Sequence, residues 1–406
     1  MKNIIFSLII CISVMAIPKK SHPQWILANS GTTANLNSVA ASDEGYLVCG
    51  GWIGSVDDGM IIRSEDSGET WSLVFTANGS VTHIDAFWNV GYAVTDKGYI
   101  YKSDDNGQTW NFNFWLVDYK FRTVFIKSPE SIFAGGQAEL VFESVNQGQS
   151  WNQIPYITGP GYWIRNVSFH NNRIGYIVGD GGRAYCSPNY GYGWFLMNTK
   201  TTSNLTGVSV PSEDTAYICG LNGTILKTTD GGISWANIST TTSGNIGIFF
   251  LTNLEGYVAQ ANGKIGHTVD GGENWEFQQT ITTSPLREFC YLQEINRLLI
   301  CGDGGIILYN DLSTGITKKE NSRKLDSHIQ VQPNPVKDFA TFKIKDIEIQ
   351  QNAFTIYSAD SKIIEIHKNV RNGDMVVDLS ELASGVYYFT LTANNRVIDS
   401  GNFIKE

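Results

Sequence analysis

Charge is sparse in this sequence, and positive charge sparser still. Asp, Glu, Lys and Arg make up 17% of the 406 residues, with 29 Lys and Arg against 39 Asp and Glu and a formal net charge of −10. A nucleic-acid or anionic-membrane partner would need a basic face, and the composition gives none. There is no His-Glu-x-x-His, no Cys-x-x-Cys and no glycine-rich phosphate loop after a strand. The common metal and nucleotide motifs are therefore missing, and no metal, cofactor or catalytic residue is expected. Long apolar runs are missing too, except at the start. Lys2 followed by the apolar stretch Ile4 to Ile17 reads as a signal peptide, residues 1–20, too short for a comfortable membrane span. Cys11 leaves with it and is no lipidation site, because Ile10 stands where a small residue is needed. Without it the chain has no transmembrane segment. Five cysteines remain. Cys49, Cys219 and Cys301 each precede a glycine at one repeat position and read as small buried hydrophobes. Cys290 and Cys301 are candidate cross-strand neighbours, and a disulfide between them is left open.

Glycine (41 residues) and aromatics (12%) are plentiful, which suits short strands and many turns. The segment Ser103-Asp104-Asp105-Asn106-Gly107-Gln108-Thr109-Trp110 recurs through the chain. Ser64 to Trp71 matches it, Ser144 to Trp151 and Ser187 to Trp194 carry Asn146 and Asn189 for the aspartate, and Thr228 to Trp235 and Thr268 to Trp275 keep Asp230 and Asp270. The tryptophans at 71, 110, 151, 194, 235 and 275 are spaced by 39, 41, 43, 41 and 40 residues. Such a period means one supersecondary unit stacked many times. Asp or Asn can bond backbone two residues on, glycine supplies positive φ, and tryptophan can anchor the turn. Asp66, Asp105, Asn146, Asn189, Asp230 and Asp270 are accordingly structural. Two apolar strands precede each box, so each unit predicts a four-stranded blade.

The boxes resemble the Asp-box, or BNR, repeat of β-propellers. Leu221 to Trp235 and Tyr92 to Trp110 are most similar to the seven-bladed family of photosystem II assembly factors. The resemblance spans residues 24–311 and implies an all-β, seven-bladed propeller. After Trp275 one more unit runs to Tyr309 without a box, and Gln24-Trp25-Ile26-Leu27 reads as the outer strand that completes it, with Trp25 as the seventh tryptophan.

Residues 312–328 read as a charged linker. Residues 329–406 read as a small β domain, immunoglobulin-like in outline. Its Pro333-Asn334-Pro335 start, its Leu-x-x-Gly-x-Tyr turn with Gly385 and Tyr387, and the basic Lys405 resemble the type A sorting domain of the type IX secretion system. That resemblance implies the secretion machinery as a partner, export across an outer membrane, and a secreted or cell-surface destination.

In a blade the box joins the third and fourth strands, so a ligand site is expected on the opposite face. Repeat alignment puts Arg122, Arg165 and Arg287 at one position at the mouth of the innermost strand. His83 falls there loosely, with Asn37, Thr206 and Ile246 in other blades. Trp115, Tyr119, Tyr162 and Trp163 stand on nearby loops, and Trp52 lies with Asp57 and Asp58 on an extended one. Converging arginines can hold a carboxylate or sulfate, and aromatics can stack a sugar or peptide. The competing reading pairs each arginine with a local carboxylate. The chain is thus expected to be a monomeric binding or scaffold module for an unknown protein or glycan. The alternative is a cell-surface glycoside hydrolase, with Asp85, Asp118, Asp180 and Asp303 as available carboxylates. Against it, the Arg-Ile-Pro start of sialidases is missing; Arg173-Ile174-Gly175 is not it.

Overall fold

The computed structural model describes residues 25–42, 44–54, 58–155, 157, 159–239, 243–312, 329–332, 335–344, 352–358, 363–368, 370–371, 373–393 and 396–406. The signal peptide, the linker beyond 312, Asp57, Pro333 and Asn334 lie outside the described residues. The chain divides into two compact units, Met1–Gly315 and Ile316–Glu406.

In the first unit the described strands form seven four-stranded antiparallel sheets, numbered here by their first strands. These are Asn35–Ala41, Val81–Phe87, Phe121–Ile126, Ile164–His170, Leu205–Ser209, Asn245–Phe250 and Leu286–Leu292. Each first strand touches the next, and the seventh touches the first, so the contacts run in a cycle. The second strands, such as Ile174–Gly179 and Ala216–Gly220, are buried along their whole length. They read as unbroken apolar runs because each sheet is covered on both faces by its neighbours. The fourth strands are exposed; Asn152–Gln153, Phe195–Leu196 and Ala236–Asn237 have two residues each.

The boxes make the turns their sequence predicts. Asp105 Oδ1 accepts from Thr109 N at 2.9 Å and Ser103 Oγ at 2.8 Å, while Oδ2 accepts from Thr109 Oγ1 at 2.6 Å. Gly107 N donates to Ser103 Oγ, and Trp110 Nε1 to Gly107 O. Asn146 and Asn189 keep the Oδ1 acceptor, bonding Ser150 N and Gly193 N. Hydrogen bonds from Ser234 hold the Asp230 carboxyl down at about 2, and those from Asn274 do the same for Asp270.

A feature beyond the turn emerges at the residue that directly follows the aspartate or asparagine. Ser67, Asn106, Tyr190, Gly231 and Gly271 are left-handed, with φ between 60° and 75°, which turns their carbonyls toward the preceding sheet. Those oxygens accept from Arg297 (3.0 Å), Arg63 (2.7 Å), Lys127 (2.9 Å), Cys186 Sγ (3.7 Å) and Lys227 (2.9 Å) respectively. Five of the six boxes therefore lock a turn and receive a neighbour.

The N-terminal strand joins the seventh sheet. Ile26 and Leu27 pair with Tyr309 and Leu308, and Asn29 bridges to Thr70 of sheet 1. Trp25 meets Tyr257 of sheet 6 edge-on at 6.2 Å and 89°. Trp235 meets Tyr176 in the same way at 6.0 Å and 87°, and Trp151 meets Tyr92 at 6.4 Å and 81°. Arg297 crosses the seam to Ser67 O and is itself held within its own sheet by Asp311. The five cysteines of this unit are buried and free, so the disulfide left open for Cys290 and Cys301 is not formed. Cys290 faces Leu299 and Cys301 faces Glu288, which makes the two diagonal rather than opposite.

The second unit has a three-stranded sheet, Ile329–Gln332, Phe339–Ile344 and Gly373–Asp378, and a four-stranded sheet, Ile363–Lys368, Asn352–Ser358, Gly385–Ala393 and Arg396–Lys405. Phe342, Phe354, Phe389 and Phe403 form its core. Tyr387 donates to Ala383 O at 2.9 Å, which braces the turn before Gly385. Pro335 is exposed, and Lys405 is buried with Nζ on Glu406 O.

Two outcomes follow. Deleting residues 24–29 removes the outer strand and the seventh tryptophan, and should lower stability by roughly 3–5 kcal/mol; an unchanged denaturant midpoint would refute the closure. Asp105→Ala should cost about 1–2 kcal/mol, as lost capping oxygens do. Asp105→Asn should cost less, because Asn146 and Asn189 already serve. Thermal melts of the two variants check the order.

Candidate functional site

The first strand of each sheet has a free inner edge, whose N–H and C=O groups need partners. Side chains of the preceding sheet supply them. Ser38 Oγ accepts from Ile84 N, His83 Nδ1 from Val124 N, Asp85 Oδ2 from Ile126 N, Asn166 Oδ1 from Val208 N, and Ser209 Oγ from Phe250 N. Every first strand also carries a register shift near its start, at Leu36/Ser38, Val81/His83, Phe121/Thr123, Ile164/Asn166, Leu205/Gly207, Asn245/Gly247 and Leu286/Glu288. The extra residue in each bulge is Asn37, Thr82, Arg122, Arg165, Thr206, Ile246 or Arg287. Bulges re-aim side chains, and all seven of these line one cavity of about 500 Å³.

This geometry corrects the sequence alignment in one place. Thr82 holds the arginine position in sheet 2; His83 is one residue further on, equivalent to Glu288. Where the bulge residue is short and polar it ties to the next sheet. Asn37 donates to Val81 O, Thr82 to Phe121 O and Thr206 to Asn245 O.

Two arginines take the bland course. Arg165 is held bidentately by Asp180, with Nη2 to Oδ2 at 3.1 Å. Arg287 is held likewise by Asp303, at 2.7 and 3.0 Å. Both aspartates open the turn between the second and third strands, and both donate backbone N–H to the residue two before the arginine, Trp163 O and Pro285 O. In sheet 3 the same backbone bond runs from Gln137 N to Lys120 O. Gln137 therefore stands in the aspartate slot, and its buried Oε1 has no protein partner. Arg122 has no ion pair among the described residues; its guanidinium sits over Trp163, 5.1 Å from the ring centroid. Burial, then repulsion from Arg165, lowers its pKa. A cation stacked on indole and short of a counter-charge suits an anion.

Deeper in the cavity His83 Nε2 lies 2.9 Å from Glu288 Oε1, a contact between sheets 2 and 7 that passes sheet 1. The Val124 N–H at Nδ1 fixes the neutral ring as the Nε2–H tautomer, which donates to Glu288. Burial opposes charge on the ring, but Glu288 outweighs it and the pKa is raised. Asp85 also lines the cavity. Burial pushes its carboxyl up to about 7 against the bond from Ile126 N. Sequence reasoning treated Asp85 only as a spare carboxylate and missed Glu288 and Gln137.

The other aromatic candidates do not gather at the cavity. Trp115 stacks on Tyr99 at 5.6 Å and donates to Lys97 O, well out on sheet 2. Tyr162 packs over Gly181, Tyr119 is buried with its hydroxyl on Leu140 O, and Trp52 is exposed at the end of its strand. None of the four borders the cavity. Asp180 and Asp303 are engaged by arginine, and exposed Asp118 sits in a left-handed turn.

Residues 187–286 match the family described as photosynthesis system II assembly factor YCF48, and residues 330–405 match the secretion system C-terminal sorting domain. No curated protein matches the chain. Solved structures similar in fold include two of YCF48. One is titled "YCF48 bound to D1 peptide", at 16% identity and TM-score 0.60, covering 71% of this chain and 97% of the other. The other is YCF48 from Cyanidioschyzon merolae, at 15% identity and TM-score 0.58, covering 70% and 98%. Neither family match nor either structure is a glycoside hydrolase, so that alternative gains no support. The chain is a BNR-type β-propeller that carries a C-terminal secretion sorting domain.

Proposed function

We propose that the chain is an exported, seven-bladed propeller that binds an extended acidic peptide on the face opposite its boxes. The observation that carries this reading is the unmatched Arg122. The repeat neutralises Arg165 and Arg287 within their own sheets and withholds the partner from Arg122, because Gln137 replaces the aspartate. Arg122 is exposed at the cavity mouth and has no carboxylate partner in its own sheet among the described residues, so an arriving carboxylate finds a guanidinium free to pair. Trp163 adds a flat surface beside it. A peptide is favoured over a glycan because one structure of similar fold is titled as a peptide complex.

Around that site we assign the propeller to residues 24–311, with each four-stranded sheet as one blade and the cyclic first-strand contacts as the closed ring. Residues 312–328 act as linker. Residues 329–406, two antiparallel sheets on one core, act as an immunoglobulin-like address for the type IX machinery, after entry through the signal peptide 1–20. The product is a monomer at the cell surface or in the medium.

Gln137→Asp tests the site directly, since it restores the repeat's own pairing. With an acetylated, fluorescein-labelled alanine–glutamate peptide as probe, affinity should fall about tenfold or more, from loss of a charge-assisted contact of roughly 1.5–3 kcal/mol. The melting temperature should hold or rise. Arg122→Ala should weaken the probe to a similar degree. Unchanged affinity in the Gln137→Asp protein would show that Arg122 is not the anion's partner.

Export has its own test. A chain lacking residues 329–406 should fold and accumulate in the periplasm, as cell fractionation would reveal. Its normal appearance outside the cell would remove the sorting role.

A further inference from the structure

The cavity and its arginine mouth together hold more acid than base. Arg122, Arg165 and Arg287 face the carboxylates of Asp180 and Asp303, which chelate two of them. Below them lie Glu288 and Asp85 on the cavity wall. Asp96, in the corresponding turn of sheet 2, also acts on Arg122. His83, between Glu288 and the Val124 N–H, is neutral in the tautomer that satisfies both contacts. The first strands of sheets 1, 5 and 6 bring no charged side chain to the cavity; that of sheet 4 adds only Arg165. With every carboxylate ionised, an incoming anion meets a net negative wall in a confined space, where like charges repel strongly.

We infer that the cavity is a proton-coupled anion site, in which the anion enters the arginine mouth and one proton from solvent is taken up by the Asp85–His83 pair. The inference rests on the binding role assigned above and adds its regulation. Asp85 is the natural acceptor. Its two oxygens are already turned to Ile126 N and Ala86 N, and one of them can carry a proton without either backbone bond being lost. His83 is the second choice. A proton on Nδ1 would oppose the Val124 N–H, in the strand that carries Arg122. The two groups interact, so the proton belongs to the pair rather than to either residue. Burial already holds the Asp85 carboxyl near neutrality, which puts the uptake where a small change in pH can act. By reciprocity, a bound anion raises the pair's proton affinity by the factor by which the proton raises anion affinity.

The free protein must show the same coupling in its stability. Both groups hold their proton more tightly when folded, since their pKa values are raised. Their contribution is full below the unfolded values and is lost as pH rises through the folded ones, near about 7 for Asp85. Stability of the full chain should therefore fall between about pH 5 and about pH 8, and less so in Asp85→Asn.

The experiment titrates the full chain with the labelled alanine–glutamate peptide at about pH 6 and about pH 8. It is run by calorimetry in two buffers of different protonation heat, beside melts over the same range. Wild type should bind roughly tenfold tighter at the lower pH and take up a proton on binding. Asp85→Asn should flatten both the affinity profile and the melting profile. Binding that is sensitive to Gln137→Asp but indifferent to pH would keep the peptide site and overturn the coupling. An equal pH slope in wild type and in the double variant His83→Gln/Asp85→Asn would also overturn it. Failure of the peptide to bind at either pH would remove both readings.

Discussion

The backbone carbonyl at the left-handed residue of five of the six boxes is what the packing of sheet on sheet depends on. A four-stranded sheet of this size buries apolar residues on both faces and cannot stand alone. It needs a neighbour held at a fixed rotation. The box supplies that with one oxygen. The aspartate or asparagine side chain gathers the amides of the turn, the residue directly after it takes positive φ, and its carbonyl then points out of the sheet into the reach of Arg297, Arg63, Lys127, Cys186 or Lys227. A charged donor makes this a stronger link than a neutral pair. That explains why the acidic side chains of the boxes belong to folding: their oxygens are spent on local amides and hydroxyls and have little left for a ligand.

The same packing creates a problem on the axis. Sheets that meet face to face leave the first strand of each with an unpaired edge pointing at a common cavity. Short side chains answer most of it, through Ser38, Asn166 and Ser209, and through the bulge residues Asn37, Thr82 and Thr206. The bulge aims one residue per sheet at the mouth. A long cation there cannot bond the adjacent carbonyl and instead turns to the aspartate that opens the nearby turn, as Arg165 and Arg287 do. The proposed site lies where this rule is broken, at Arg122.

How much of this was legible in the sequence follows from range. The boxes, the seventh tryptophan and the C-terminal domain are local patterns, in which spacing alone fixes a turn or a strand. The common position of the three arginines was legible for the same reason. The bulge was not, since a one-residue register shift changes no composition; that is why His83 was aligned with the arginines and Thr82 was passed over. Gln137 could have been found by laying the turn Gln137–Glu139 over Asp180–Gly182 and Asp303–Gly305, because the repeat supplies its own reference. Contact between His83 and Glu288, 205 residues apart, has no local signature. Trp115 and Trp52 were misplaced because an aromatic on a loop or strand end can as well cover its own sheet, and Trp115 does so on Tyr99.

In a repeat protein the repeat itself is the control experiment. Where sheets 4 and 7 place Asp opposite Arg, the pair is neutral and needs nothing further. Sheet 3 keeps the arginine and the backbone bond of the turn, but its turn reads Gln137-Ala138-Glu139 where the others read Asp-Gly-Gly, so the carboxylate in the arginine's slot becomes an amide and Glu139 pairs instead with Arg183. If Arg122 served only to pack Trp163, an aspartate at 137 would stabilise it at no cost to the stacking. The amide instead leaves one buried oxygen without a partner and one guanidinium without a counter-ion, two small penalties at a single point in an otherwise self-satisfied ring. Polar groups left wanting in this way raise the free energy of the empty state. The same deficit lowers the free energy of any state that brings a carboxylate to the mouth.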